Sequence, residues 1–143
     1  VDDWYETGAM VGPIVYTCLI RSKTAAFNSF WAPIENSEDN ADRWGFFSLG
    51  NQGFFSNPGE IPAEVRLNGV TLPSPTSSIA PIDDWMVLTV TTATQPSTLK
   101  GLFQLAQMFF GAAEAIGFVI YVGTPSDADR DQVEAFYETL KPV

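Results

Sequence analysis

The sequence predicts an α+β fold: a mainly antiparallel, mixed sheet covered by C-terminal helices, arranged as two layers in a single domain over residues 1–143. Three observations carry this expectation. Strand-like segments crowd the first half, and Asn68-Gly69 stands there between two alternating triplets, the strongest short hairpin signal because both turn positions need positive φ. Helical spacing of apolar residues is concentrated late, over 97–116 and again beyond residue 126. A length of 143 residues fits one domain and lets folding remove roughly two-thirds of the unfolded chain's surface from water.

Taken in order, residues 1–12 form a polar lead-in, with Trp4 and Tyr5 set among Asp2, Asp3 and Glu6. Over 13–21 the residues Ile14, Val15, Tyr16, Cys18, Leu19 and Ile20 occupy both alternating faces, the pattern of a strand covered on both sides. Ser22 can cap a short helix over 23–32, in which Phe27, Phe30 and Trp31 share one face before Pro33 ends it. The acidic stretch from Glu35 to Asp42 does not match the calcium-loop pattern and reads as a solvated loop.

Gly-Phe-Phe-Ser is then written twice, at 45–48 and 53–56, and the two copies predict a hairpin closed through Gly50-Asn51-Gln52. Adjacent phenylalanines on a strand point to opposite faces. One ring of each copy can enter a core; its neighbour needs another cover, whether a second layer, a partner or a ligand. Trp31, Trp44, Phe47 and Phe55 are therefore the candidate binding residues.

Residues 73–81 are rich in Pro and Ser and read as an extended connection. A strand follows over 85–92, with Met86, Leu88 and Val90 on one face and Trp85, Val87, Thr89 and Thr91 on the other. Over 97–116 the stripe Leu99, Leu102, Phe103, Ala106, Phe109 or Phe110, Ala113 and Ile116 predicts a long helix. Gly101 and Gly111 within it each cost about 1 kcal/mol relative to Ala, which implies close packing. Residues 118–122 are apolar throughout and read as a central strand, so that 85–122 becomes one βαβ unit. Thr124-Pro125-Ser126-Asp127 supplies a cap, a first-position proline and a first-turn carboxylate for a last helix. Val133, Phe136, Tyr137 and Leu140 would face the core, and Lys141-Pro142 would stop the helix.

Composition excludes more functions than it suggests. A formal charge of −10, with seven basic residues scattered along the chain, argues against a nucleic-acid or anionic-lipid partner. No His is present, which removes Ser-His-Asp and Cys-His machinery and every His-containing metal site. Cys18 lies in an apolar run, as a buried small hydrophobe does. No apolar run reaches the ~18 residues of a membrane span, so a soluble chain is expected. Val1 in place of Met suggests a mature or trimmed product, and low Lys with abundant Ser, Thr, Asn, Gln and Pro leans toward a secreted or periplasmic setting.

No catalytic residue, metal ligand or cofactor site is spelled out, and the first expectation is a non-catalytic binding or protein-interaction domain. Its partner would be a protein or an apolar small ligand, with a homo-oligomer also open. The alternative is a small acidic inhibitor or immunity-type protein that presents carboxylates to a basic partner. A third reading is a carboxylate enzyme drawing on Glu35, Asp42, Glu60, Asp83 and Asp84, with Tyr16, Tyr121 or Arg66 orienting a substrate. Solvation at the start of the following strand is the plainer account of Asp83-Asp84.

Overall fold

Strand β2, Ile14–Ser22, is the axis of the structure, and its sequence says why: residues 14–20 are all buried, as expected for alternation-free apolar sequence covered on both sides. The computed structural model describes residues 6–8, 13–22, 29–31, 45–49, 52–56, 63–73, 78–81, 84–91, 99–100, 104–105, 109–110 and 113–143. Before β2 lies β1, Glu6–Gly8, and after it come β3, Ser29–Trp31, β4, Gly45–Leu49, and β5, Gln52–Ser56. Next are β6, Glu64–Leu67, β7, Val70–Thr71, β8, Ser78–Pro81, and β9, Met86–Thr91. Short strands β10, Leu99–Lys100, β11, Gln104–Leu105, and β12, Phe109–Phe110, precede the long β13, Ala113–Val122, and helix α1, Asp127–Thr139.

A five-stranded sheet in the order β13-β2-β9-β6-β7 and the single helix α1 beside it give an α+β architecture among the described residues. Every pairing in that sheet is antiparallel. The mixed sheet expected from a βαβ unit is therefore corrected: β9 and β13 run the same way but β2 separates them. The long helix over 97–116 is corrected too, because 99–100, 104–105, 109–110 and 113–116 are strand. Part of the short helix expected over 23–32 is strand β3, and its remaining residues lie outside the described ones.

The hairpin expectations fare better, because turn chemistry is local. Asn68 at φ 49° and Gly69 at φ 77° turn β6 into β7, with Leu67 opposite Val70. Asn68 also extends the neighbouring ladder: its N–H donates to Val87 O at 2.8 Å and its Oδ1 accepts from Val87 N–H at 2.9 Å. The doubled Gly-Phe-Phe-Ser segment is an antiparallel pair, Phe46 opposite Phe55 and Phe47 opposite Phe54, closing on Leu49 opposite Gln52. Gln52 thus belongs to the strand rather than to the turn. A four-stranded sheet in the order β3-β4-β5-β8 contains this pair, with Trp31 opposite Phe46 and Phe30 opposite Phe47.

Two apolar layers sandwich the five-stranded sheet. On one face Ile14, Tyr16, Cys18, Ile20, Val65, Leu67, Met86, Leu88 and Val90 form a buried cluster, with Phe118 and Ile120 packed against it. On the other, Leu19 and Val87 meet Tyr137 of α1, with Trp85, Ile116 and Val133 around them. The division of β9 into Met86, Leu88 and Val90 against Val87, Thr89 and Thr91 is the one its alternation predicts. Thr17 and Thr89, cross-strand neighbours on the helix side, satisfy each other's hydroxyls at 2.9 Å.

Among the described residues β13 stands at the end of the sheet, which corrects its expected central place. Its apolar run conceals a register change: Ile116 sits opposite Leu19 and Phe118 opposite Cys18, so Gly117 is an extra residue. With φ 69° it occupies the left-handed conformation that a glycine bulge requires. The bulge places Glu114 and Ile116 before it, and Val119 and Tyr121 after it, on the same helix-bearing face.

α1 starts two residues later than the Thr124-Pro125 signal implies. Ser126 is the N-cap; its Oγ accepts the Asp129 N–H at 3.2 Å, and Asp129 Oδ2 accepts the Ser126 N–H at 3.2 Å. This reciprocal box satisfies two otherwise unpaired donors, so Pro125 falls before the cap. Replacing Ser126 by Ala should cost about 1 kcal/mol and lower Tm by about 4 °C at neutral pH. Hydrogen bonds from Ser126, its side chain first and then its backbone, hold the Asp129 carboxyl below its ordinary value. A depressed folded value contributes stability above the ordinary carboxylate pKa and loses it as pH falls through the lowered one. The Ser126→Ala deficit should therefore shrink in strong acid; a thermal melt series across pH reads it, and a constant deficit would contradict the box.

Candidate functional site

α1 is rolled about its axis relative to the expected orientation. Glu134 and Tyr137 are buried and Val133 half-buried, whereas Phe136 and Leu140, expected in the core, face outward. The cause is on β6. Arg66, on the helix-bearing face opposite Thr89, sends Nη2 to Glu134 Oε2 at 3.2 Å, to Asp131 Oδ1 at 2.7 Å and to the Gly69 carbonyl at 3.2 Å. A second arginine repeats the theme one turn earlier: Arg130 pairs with Glu64 on β6 and with Asp127. Burying a carboxylate without a cation is costly, so Glu134 turns inward to the guanidinium and the apolar positions three and seven beyond Val133 turn outward.

This roll creates two surfaces, one on each side of α1. The first is an open cleft of about 340 Å³ lined by Arg66, Asn68, Asp131, Glu134 and Glu138. Glu134 Oε1 is buried there without a hydrogen-bond partner among the described residues. Lys141 reaches two of its lining residues, 2.9 Å from Asn68 Oδ1 and 2.7 Å from Glu138 Oε2. Three carboxylates face two cations, so the cleft is acidic. Among the described residues no group of three or more His, Cys, Asp or Glu is placed to hold a metal ion.

The second surface lies between α1 and β13. A nook of about 40 Å³ is lined by Val15, Val119, Tyr121, Pro125 and Val133, with Asp129 and Arg130 at its rim. Apolar side chains of these two elements stand in solvent: on β13 Val119 is 41% exposed and Tyr121 49%, with Val122 at 49% on the other face of the strand, and on α1 Phe136 is 59% and Leu140 38% exposed. Phe136 leans edge-on to Tyr137, ring centroids 5.7 Å apart, which orients its exposed ring. At the far end of β13 Arg21 donates through Nε to Glu114 at 3.0 Å and lies 5.0 Å over the Trp85 ring.

The candidate binding residues divide differently. Trp44 lies outside the described residues; Trp31, Phe47 and Phe55 are placed on β3, β4 and β5, and only their backbone positions are described. Of the candidate enzyme residues, Glu35, Asp42, Glu60 and Asp83 also lie outside the described ones. Those that are described do not converge. Tyr16 belongs to the buried layer opposite the helix, while Arg66 and Tyr121 stand on the helix side, at β6 and at the β13 edge. Asp84 accepts the Trp85 N–H at 2.9 Å, a local contact at the start of β9. Cys18 is fully buried, and burial pushes its thiol far above the usual range, so no thiolate nucleophile is available there.

Sequence reasoning missed Glu134 and the β13–α1 groove. The only signal for Glu134 was an acidic residue inside the apolar stripe of α1, and nothing in the sequence pairs it with a strand arginine. No helix among the described residues is long and apolar enough to cross a membrane. Compared with protein-family models, curated proteins and solved structures, the chain finds no match.

Proposed function

We propose that the chain is a non-catalytic binding or protein-interaction domain, working as one two-layered α+β unit. The observation that carries this reading is the set of exposed apolar side chains beside the nook, Val119 and Tyr121 on β13 and Phe136 and Leu140 on α1. Exposed apolar side chains gathered on two neighbouring elements are a common mark of an interface. The aromatic hairpin residues Trp31, Trp44, Phe47 and Phe55 are proposed as a second part of the binding surface, with a protein or an apolar small molecule as occupant.

An environment-sensitive apolar dye tests these side chains directly. The native protein should enhance its fluorescence, and the pair Tyr121→Ser and Phe136→Ser should abolish most of that enhancement while Tm changes by less than about 5 °C, since both rings are half in water. Loss of the fold in both variants would show that these rings are core, and the reading would fall.

The acidic cleft supports a second reading, an inhibitor or immunity-type protein for a basic partner. It gathers Asp131, Glu134 and Glu138 on a chain of net charge −10. Such a complex would associate faster at low salt than at high salt.

A further inference from the structure

We infer that the partner of the β13 edge is the β13 edge of a second copy of this chain, joined antiparallel about a twofold axis at Ile120. This rests on reading the chain as an interaction domain and names the occupant of its groove. Register and hydrogen-bond parity come first. Gly123 N–H donates to the Pro13 carbonyl at 2.8 Å, and Val122 follows opposite Ile14, so Gly123, Tyr121 and Val119 turn their main-chain groups toward β2. Ile120 and Val122 consequently turn theirs away from β2, to the side on which no described strand pairs with β13. A twofold axis at Ile120 makes the Ile120 N–H donate to the Ile120 carbonyl of the other copy, while the Ile120 carbonyl accepts the reciprocal bond. This parity is the one an isologous pair needs.

Side chains and charge agree with the main chain. The same axis sets Val119 against Tyr121 of the other copy and Tyr121 against its Val119, on the face that bears α1 in both. Two sheets become one of ten strands, and Phe136 and Leu140 from each copy line the trough above the seam. A standard interface takes roughly 800 Å² from each partner. Two half-exposed aromatic rings, each with roughly half of the ~150–250 Å² an aromatic buries when fully covered, and three aliphatic side chains supply part of it. A chain of net charge −10 repels its own copy, yet the stretch from Ala115 to Val122 carries no charged residue. The seam residues of β13 therefore add no carboxylate to that repulsion. Lys, Pro and inward charges, three of the usual protections of an exposed edge, are absent from the seam, and the Gly117 bulge lies before the segment 119–122 that forms it.

Charge also separates this partner from a basic one. Self-pairing of an acidic chain strengthens when salt screens the repulsion, whereas an acid–base complex weakens. Sedimentation equilibrium of the full chain should show a monomer–dimer equilibrium at tens of micromolar, several-fold tighter at 0.5 M than at 0.05 M sodium chloride. Val119→Glu should weaken it at least about 30-fold, by setting carboxylates on both sides of the seam, and Val122→Pro should do so by removing an outward donor. Hydrogen exchange of the native protein needs no variant: the Ile120 and Val122 amides should become more protected as concentration rises, while those of β9 do not. A monomer at every concentration and salt, or a dimer indifferent to both substitutions with unchanged Ile120 exchange, overturns the proposal. If that monomer still binds the apolar dye through Tyr121 and Phe136, the interaction-domain reading survives without the second copy.

Discussion

Arg66→Met should destabilise the protein by about 4 kcal/mol and lower Tm by on the order of 10–15 °C, the largest effect expected of any single polar substitution here. The argument turns on what is left behind. Glu134 is 5% exposed at its side chain, Oε1 is already without a partner among the described residues, and Oε2 has Arg66 as its cation. Removing the guanidinium strands a buried carboxylate between sheet and helix. Asp131, the other acid on Arg66, is well solvated and loses little. The compensating variant is Arg66→Met with Glu134→Leu, which replaces the pair by apolar groups of similar size and should recover most of the loss. Chemical denaturation of the two single variants and the double one gives the coupling by a double-mutant cycle. A cost below about 1 kcal/mol for Arg66→Met would mean that the pair behaves as an exposed ion pair and does not set the roll of α1.

The same pair shows which parts of the molecule were legible in sequence. Local chemistry was: Asn68-Gly69 demands positive φ wherever it sits, and the apolar residues of β2 demand cover on both sides whatever supplies it. The split of β9 into two faces followed from its strict alternation. Non-local pairing was not. Arg66 and Asp131 are 65 residues apart in sequence, and no periodicity announces that a strand arginine and a helix acid will meet. The stripe of Val133, Phe136, Tyr137 and Leu140 was a correct helix signal with the wrong rotation, because apolar spacing cannot weigh a buried ion pair against two apolar side chains. The misread helix over 97–116 has a related cause. Its apolar residues satisfied helical spacing, while the period of two that would have marked β13 is broken at Gly117. Ile116 and Phe118 look like same-face residues of one strand, and the bulge places them on opposite faces.

Gly117→Val should cost about 3 kcal/mol, and deleting Gly117 should cost more. Two effects add in the substitution. A β-branched residue at φ 69° carries backbone strain of roughly 1–3 kcal/mol. A Cβ at this position would also come within 3.1 Å of Tyr137 Oη and 3.4 Å of its Cε1, so the ring that ties α1 to Leu19 and Val87 would have to move. Gly117→Asn separates the two, since asparagine tolerates the left-handed region and keeps the steric conflict. In a Tyr137→Phe background the clash with the hydroxyl disappears and the cost of Gly117→Asn should fall, read as a shift in denaturation midpoint. Deletion acts through register. Without the extra residue, either Glu114 and Ile116 or Phe118 and Ile120 must exchange faces, sending a charge into the buried layer around Cys18 or apolar residues out of it. Because β13 carries both the bulge and the exposed Val119 and Tyr121, deletion should abolish the apolar groove even if a compact state persists. A deletion variant that unfolds cooperatively at the native midpoint and keeps full dye binding would show that the bulge does not position this edge.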